Sequence, residues 1–70
     1  MSEFNYPEPH DADIRNKVEF RIYLNHEDAL AAAEIAKIHA VHMVNQGYDF
    51  GYNCPGTIKK HDDKYWVCCP

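Results

Sequence analysis

Three cysteines and one histidine supply the soft ligands that zinc prefers in proteins. They are Cys54, His61, Cys68 and Cys69. Small zinc sites usually hold two cysteines at a spacing of about two to four residues, and no two of these cysteines show that spacing. The adjacent pair would also point to opposite faces of a strand. We therefore expect no metal site and no cofactor, and we interpret the thiols as reduced, buried or incidental side chains.

Two histidines on the predicted helix are a second candidate for chemistry. His39 and His42 differ by about 60° around a helix, and no acidic residue obviously completes a metal site or a proton relay with them. No His-Cys or His-Asp spacing indicates a nucleophile, and the sequence contains neither a glycine-rich phosphate loop nor paired catalytic carboxylates. We predict that the protein is not an enzyme.

Basic and aromatic residues on the outer face of a sheet are the better candidate. The first predicted strand offers Lys17, Arg21 and Tyr23. The C-terminal hairpin offers Lys59, Lys64, Tyr65 and Trp66. Aromatic side chains mixed with cations on a sheet are typical of faces that stack on nucleic-acid bases, and equally of protein interfaces.

The distribution of charge favours a protein partner over nucleic acid. The formal net charge is −4, and residues 1 to 13 contain four acids and no basic residue: Glu3, Glu8, Asp11 and Asp13. The rest of the chain has 11 − 4 = 7 acids against all 7 basic residues and is neutral. Nonspecific nucleic-acid affinity rests on lysine and arginine, so bulk attraction to a polyanion is not expected.

The elements that position these residues begin after an acidic segment. Residues 1 to 16 contain Pro7 and Pro9 but no hydrophobic periodicity, which predicts an extended or flexible arm. Residues 17 to 24 alternate strictly between the two faces of a strand. The predicted core face is Val18, Phe20, Ile22 and Leu24. The predicted solvent face is Lys17, Glu19, Arg21 and Tyr23.

A long helix should follow over residues 26 to 46. Asn25 can cap its first N–H groups, and Gly47 can adopt the left-handed conformation that ends a helix. The predicted buried stripe is Ala29, Ala33, Ala36, Ala40 and Val44, flanked by Leu30, Val41 and Met43. Ile35 and Ile38 point elsewhere, which indicates either a wider core or a patch for a partner.

Three further strands are predicted after the helix, over residues 48 to 53, 57 to 60 and 64 to 69. Asp62 and Asp63 form the turn between the last two. The predicted fold is α+β in the order β-α-β-β-β, with a mostly antiparallel sheet and one helix on one face. A chain of 70 residues has room for one small domain, which we place at residues 17 to 70.

Neither a signal peptide nor a membrane span is predicted. No positively charged start precedes an apolar run, and the helix is interrupted by Glu34, Lys37, His39 and His42. We therefore expect a cytoplasmic protein with no membrane partner.

In its arrangement of elements over residues 17 to 70, the chain resembles small phage-encoded inhibitors. The resemblance lies in the passage from Val18-Glu19-Phe20-Arg21-Ile22-Tyr23 to Glu27-Asp28-Ala29-Leu30 and in the closing Lys64-Tyr65-Trp66-Val67. This layout is similar to that of certain single-helix anti-CRISPR proteins and of the small phage inhibitor of host RNA polymerase. The resemblance implies stoichiometric binding to a host protein or ribonucleoprotein complex, without catalysis or a cofactor.

The leading hypothesis is a noncatalytic inhibitor or adaptor that blocks a host nucleic-acid-handling complex. The predicted partner-binding residues are Arg21, Tyr23, Tyr52, Asp62, Asp63, Tyr65 and Trp66. Aromatic and arginine anchors would bury against the partner while acids contact a basic nucleic-acid channel. On this hypothesis, alanine at Tyr23 or Arg21 abolishes binding without unfolding the domain.

Two alternatives stay open at this point. One is a small nucleic-acid-binding domain that uses Lys17, Arg21, Lys59, Lys60 and Lys64, with an affinity that falls steeply with salt. The other is a structural homodimer or larger homo-oligomer that pairs through Ile35 and Ile38 or through an open sheet edge.

Overall fold

The computed structural model describes residues 5–15, 18–50 and 55–70. Its elements are β1 (Asp11–Arg15), β2 (Val18–Tyr23), α1 (His26–Asn45), β3 (Ile58–His61) and β4 (Lys64–Cys69). The α+β prediction is confirmed, since a four-stranded antiparallel sheet packs against one long helix. The element order is β-β-α-β-β, which differs from the predicted order at both ends of the helix.

The strand order in the sheet is β1-β2-β4-β3, and each neighbouring pair is antiparallel. The two central strands, β2 and β4, pair residues 18–23 with residues 64–69. Tyr23 lies opposite Tyr65 in their register, and Glu19 lies opposite Cys69. The central strands therefore provide the middle of both faces of the sheet.

Strand β1 lies within the segment that the sequence predicted as an arm outside the domain. It is an edge strand that pairs with β2, and the His10 N–H extends the pairing by donating to the Ile22 carbonyl at 2.8 Å. The pattern of hydrophobic residues does not reveal β1, because Ile14 is the only large apolar residue of this strand and is 72% exposed. Charged edge strands of this kind avoid aggregation and consequently lack a core-facing pattern.

The strand predicted over residues 48 to 53 is wrong where the structure describes it, because residues 48–50 are irregular. Residues 51–53 of that prediction lie outside the described residues. A helix-ending motif occupies this point of the chain: the Tyr48 N–H donates to the Met43 carbonyl at 3.1 Å, and the Gly47 N–H donates to the Val44 carbonyl at 2.9 Å. Gly47 has a φ of 95°, as this motif requires.

The predicted helix start is confirmed. The Asn25 side chain accepts a hydrogen bond from the Glu27 N–H at 2.8 Å and caps α1. This bond satisfies one of the backbone donors that the first helical turn leaves free.

The C-terminal hairpin also matches the prediction. Asp62 and Asp63 form its two-residue turn with φ values of 51° and 60°. Positive φ at both central residues defines the turn that suits the twist of a hairpin, and aspartate tolerates this conformation better than most residues.

The core lies between α1 and the sheet. The helix buries only small side chains, Ala29, Ala32, Ala33 and Ala36. The sheet fills the remaining space with large ones: Tyr23 and Val67 are fully buried, and Tyr65, Ile58 and Tyr6 pack around them. Of the predicted helical stripe, the first three alanines are buried, whereas Val44 and the flanking Leu30 and Val41 are exposed.

The predicted assignment of faces on β2 is therefore inverted. Tyr23, expected in solvent, packs against the helix. Val18 and Ile22 are buried as expected, but with Phe20 they lie on the face of the sheet opposite the helix. Leu24, also expected in the core, is 56% exposed. Alternation in the sequence shows that the residues of β2 take opposite faces, but it does not show which face the helix covers.

Candidate protein-binding face of the sheet

Tyr23 and Arg21, two of the predicted partner-binding residues, lie on the helix-packed face. The Tyr23 hydroxyl donates to the Pro7 carbonyl at 2.8 Å. The Arg21 guanidinium lies 4.4 Å from the centre of the Tyr6 ring, in a cation-π contact. The Arg21 Nε lies 3.2 Å from Glu19 Oε1, which is within the distance of an ion pair. The geometry of this contact is not that of a hydrogen bond. These two side chains hold residues 5–10 to the body.

The remaining predicted residues are spread over three places. Tyr65 packs on the helix side, where its ring lies 4.9 Å from that of His26. Asp62 and Asp63 are exposed at the hairpin turn, and Asp62 Oδ2 lies 3.3 Å from His61 Nε2. Trp66 is on the face away from the helix. Tyr52 lies outside the described residues.

The face of the sheet opposite the helix carries the candidate site, and we call it the open face. Phe20 and Ile22 of β2 and Trp66 and Cys68 of β4 alternate with the helix-packed residues and so share this face. Ile22 and Cys68 are buried, whereas Phe20 and Trp66 remain partly exposed. Among the described elements, none packs over this face, so its aromatic residues border solvent.

Trp66 is the centre of the open face. Its ring lies 6.0 Å from that of Phe20 and 6.2 Å from that of His61, in tilted and edge-on arrangements that aromatic pairs prefer. The Arg15 guanidinium lies 5.2 Å from the Trp66 ring centre, and Arg15 Nε also contacts Asp13 Oδ2 at 2.8 Å. Within the described part of the chain, the Trp66 Nε1–H is buried without an acceptor. A buried donor of this kind is costly unless it is satisfied.

A depression of about 350 Å³ opens beside Trp66. It is lined by Arg15, Phe20, Lys59, Lys60, His61 and Trp66. Among the described residues, no carboxylate contributes to this lining. Cations and aromatic rings therefore surround the depression, although the chain as a whole is acidic.

The charges of the open face are sorted by strand. One row across the sheet runs Asp11, Ile22, Trp66 and Lys59, from the β1 edge to the β3 edge. The next row begins with Asp13 opposite Phe20. The open face therefore has a net acidic edge on β1, where Arg15 pairs with one of the two aspartates, an apolar and aromatic centre, and a basic edge on β3.

The sequence analysis placed Lys59 and Trp66 on the outer face of the sheet but missed Phe20, Ile22 and Arg15 as members of the same surface. A helix that buries only alanines needs large residues opposite it. Both faces of the central strands offer such residues at matching positions, Tyr23 with Tyr65 on one face and Ile22 with Trp66 on the other. The sequence therefore contains no signal that selects the face covered by the helix.

A second cluster lies on the helix side, at the end of β4. It contains Tyr6, Arg21, His39 and Cys69, and the Tyr6 hydroxyl is 3.2 Å from His39 Nδ1. Burial raises the pKa of Cys69 to about 11, although the nearby Arg21 acts in the opposite direction. Burial and the neighbouring Cys69 raise the pKa of Tyr6 to about 12. Both groups are neutral at physiological pH, which disfavours a reactive thiolate here.

These pKa shifts predict a loss of stability in alkali. The ordinary pKa of the thiol is 9.0, and in the folded state it is about 11, so the folded state retains the Cys69 proton over an interval in which the unfolded chain loses it. The contribution of the protonated Cys69 thiol to the free energy of unfolding is fully present below pH 9 and is lost as the pH rises through about 11. The urea concentration at the midpoint of unfolding, measured at a series of pH values, should therefore fall as the pH rises across this interval.

Cys69→Ala provides the control for the alkaline loss. The variant lacks the shifted group, so its urea midpoint should fall less over the same pH interval than that of the wild type. An equal fall in both proteins would show that Cys69 does not cause the pH dependence.

The described members of the candidate soft-ligand set do not come together at one site. Cys68 and Cys69 are buried, and their positions on β4 place them on opposite faces of the sheet. Cys54 lies outside the described residues. Within residues 5–15, 18–50 and 55–70, no group of three or more His, Cys, Asp or Glu side chains is arranged to hold a metal ion.

Comparison of the chain with protein-family models, with curated proteins and with solved structures found no match. The class of the protein is therefore defined by its fold, a four-stranded antiparallel sheet with one helix. In the part of the chain that the structure describes, no helix has the length and apolar character that a membrane span needs.

Proposed function

We propose that the protein is a noncatalytic inhibitor or adaptor that docks through its open face onto a protein or ribonucleoprotein complex that handles nucleic acid. The observation that carries the proposal is the arrangement of Phe20, Trp66 and Arg15 on a sheet face that borders solvent. Tryptophan and arginine are the side chains that most often dominate the energy of a protein interface. Here both belong to one surface, because the Arg15 guanidinium reaches from the β1 edge to within 5.2 Å of the Trp66 ring centre.

The distribution of charge supports a protein partner. A partner with acidic groups would meet Lys59 and His61 at one edge, and its basic groups would meet Asp11 and Asp13 at the other. Complementary charges of this kind speed association and set orientation more than they add affinity. The apolar centre would then provide most of the binding energy.

A mechanism of inhibition follows from the hairpin turn. Asp62 and Asp63 project at the end of β3 and β4, next to the basic edge of the open face. When the open face is docked, these carboxylates would reach beyond the interface and occupy a basic channel that normally receives phosphates. The resemblance to phage-encoded inhibitors that was drawn from the sequence would place such a complex in a bacterial host.

Single-stranded nucleic acid is the second candidate partner. Phe20 and Trp66 are exposed in part on neighbouring central strands, with Arg15 and Lys59 around them, and bases stack on aromatic faces of this kind. The acidic edge formed by Asp11 and Asp13 would repel a phosphate backbone that crossed the whole face. We therefore place nucleic acid second.

The test is capture of the partner from a bacterial lysate with the tagged full chain, with and without nuclease treatment. We expect the wild type to capture a stoichiometric complex that survives nuclease. The Lys59→Glu variant should capture this complex poorly, because the change reverses a charge on the open face. Lys37→Glu is the matched control. It makes the same change in net charge at an exposed position of α1, on the helix side of the sheet.

The outcomes separate the candidates. Loss of all captured material on nuclease treatment would reject the protein partner in favour of nucleic acid. Equal capture by Lys59→Glu and Lys37→Glu would show that binding does not use the basic edge of the open face.

A further inference from the structure

One flank of α1 carries a second group of exposed apolar side chains. Leu30, Ile38, Val41 and Val44 are each at least 50% exposed. At about 100° per residue, the first, third and fourth of these lie along one flank of the buried alanine stripe, and Ile38 lies opposite the stripe. Large apolar side chains grouped in this way on a small protein mark an interaction surface more often than scattered single residues do. This flank is on the helix side of the sheet, whereas the open face is on the other side.

Five residues form a seam along this side of the helix. They are Leu30, Glu34, Lys37, Val41 and Val44, and their spacing alternates between three and four residues. At about 100° per residue they fall within roughly 80° of arc. The same spacing occurs in helices that pair side by side. We call these five residues the outer seam.

The charges of the outer seam fit a second copy of the same chain in one orientation. Parallel pairing would place Glu34 against Glu34 and Lys37 against Lys37. Antiparallel pairing about a two-fold axis between residues 35 and 36 places Glu34 opposite Lys37 of the second copy, twice by symmetry. The same axis places Leu30 opposite Val41 of the second copy. Opposite charges and apolar pairs therefore coincide only in the antiparallel arrangement.

We propose that the protein forms an antiparallel homodimer through the outer seam of α1. The inference does not depend on the function proposed for the open face, which the dimer would leave accessible on both copies. Two helices of 20 residues meeting along one seam bury less than the standard interface of about 1,600 Å², so the dimer should be weak and reversible. The apolar pairs supply affinity, and the two ion pairs select the orientation.

Sedimentation equilibrium of the full chain, over a range of about 10 μM to 1 mM, tests the dimer. The wild type should shift from monomer to dimer with concentration. Glu34→Lys and Lys37→Glu should each weaken dimerisation by about tenfold, because each replaces two attractions by two repulsions. The double variant Glu34→Lys, Lys37→Glu restores both attractions and should dimerise as the wild type does.

Mixing the two single variants gives a second, independent readout. One chain then has two lysines in the seam and the other has two glutamates, so a heterodimer should form in the mixture although each variant alone dimerises poorly. Lys60→Glu is the control for net charge, since it changes a residue of β3 away from the seam. Circular dichroism of each variant checks that the fold is retained.

A wild-type mass that stays monomeric at every concentration would overturn the dimer and leave the outer seam to a different protein. Dimerisation that is equal in the wild type and both single variants would also overturn this arrangement. These outcomes are separate from failure of the open-face proposal, which is measured by capture of a partner and not by self-association.

Discussion

Replacing Tyr23 by alanine should destabilise the fold by about 3–5 kcal/mol, as is typical when a large buried aromatic side chain is removed. Tyr23 is 1% exposed and packs against Ala29, Ala32 and Ala33 of the helix. These alanines are too small to close the space that the ring would leave. Since small domains have stabilities near the lower end of 5–15 kcal/mol, much of the variant should be unfolded at moderate temperature.

Urea denaturation followed by circular dichroism measures this effect. Tyr23→Phe is the matched control because it keeps the ring and removes only the hydroxyl that donates to the Pro7 carbonyl. It should lose about 1 kcal/mol, the usual net value of one hydrogen bond. A Tyr23→Ala protein as stable as Tyr23→Phe would show that the ring does not hold the helix to the sheet.

This prediction replaces the expectation drawn from the sequence alone. From the sequence alone, alanine at Tyr23 or Arg21 is expected to abolish partner binding without unfolding the domain. The structure places Tyr23 in the core and stacks Arg21 on Tyr6 at the helix-packed face. Loss of binding in a Tyr23→Ala protein would therefore report unfolding and not a direct contact.

Trp66→Ala should weaken binding of the captured partner by at least about 2 kcal/mol, or roughly thirtyfold, if the open face is the interface. The ring is at the centre of the open face and contacts Phe20, Arg15 and His61. Its removal takes away the largest apolar anchor and the site at which Arg15 is held. Calorimetric titration of the purified partner measures the loss.

Two variants make this result interpretable. Trp66→Phe keeps an aromatic ring on β4 beside Phe20 and should retain more affinity than alanine. Tyr48→Ala removes an aromatic ring that is 54% exposed after the helix, away from the open face, and should bind as the wild type does. If Trp66→Ala is folded and binds as tightly as Tyr48→Ala, the open face is not the interface.

Features set by neighbouring residues were predictable from the sequence. Asn25 and Gly47 mark the ends of α1 because capping and left-handed φ are local properties of the backbone and of one side chain. Asp62 and Asp63 mark the β3-β4 turn for the same reason. These elements are confirmed within a residue or so of their predicted bounds.

Features set by packing at a distance were not predictable in this way. Strand β1 has almost no apolar pattern, and only its pairing with β2 makes it a strand. Tyr48 and Phe50 alternate with polar residues as a strand would, but the hydrogen bond from the Tyr48 N–H to the Met43 carbonyl directs the chain out of the helix instead. Pairing with a distant strand decides the structure of β1, and the hydrogen bond that ends the helix decides the structure at Tyr48. In both places the local pattern of apolar and polar residues does not determine the structure.

By itself, the sequence determined the α+β class, the capped helix, the hairpin and the set of aromatic and basic side chains available for binding. The tertiary structure decided which of those side chains form one surface. Both faces of β2 and β4 carry large residues, so alternation is satisfied whichever face the helix covers. The helix, which buries only alanines, takes the face of Tyr23, Tyr65 and Val67, where large rings fill the gap, and this packing leaves Phe20 and Trp66 facing outward beside Arg15 and Lys59.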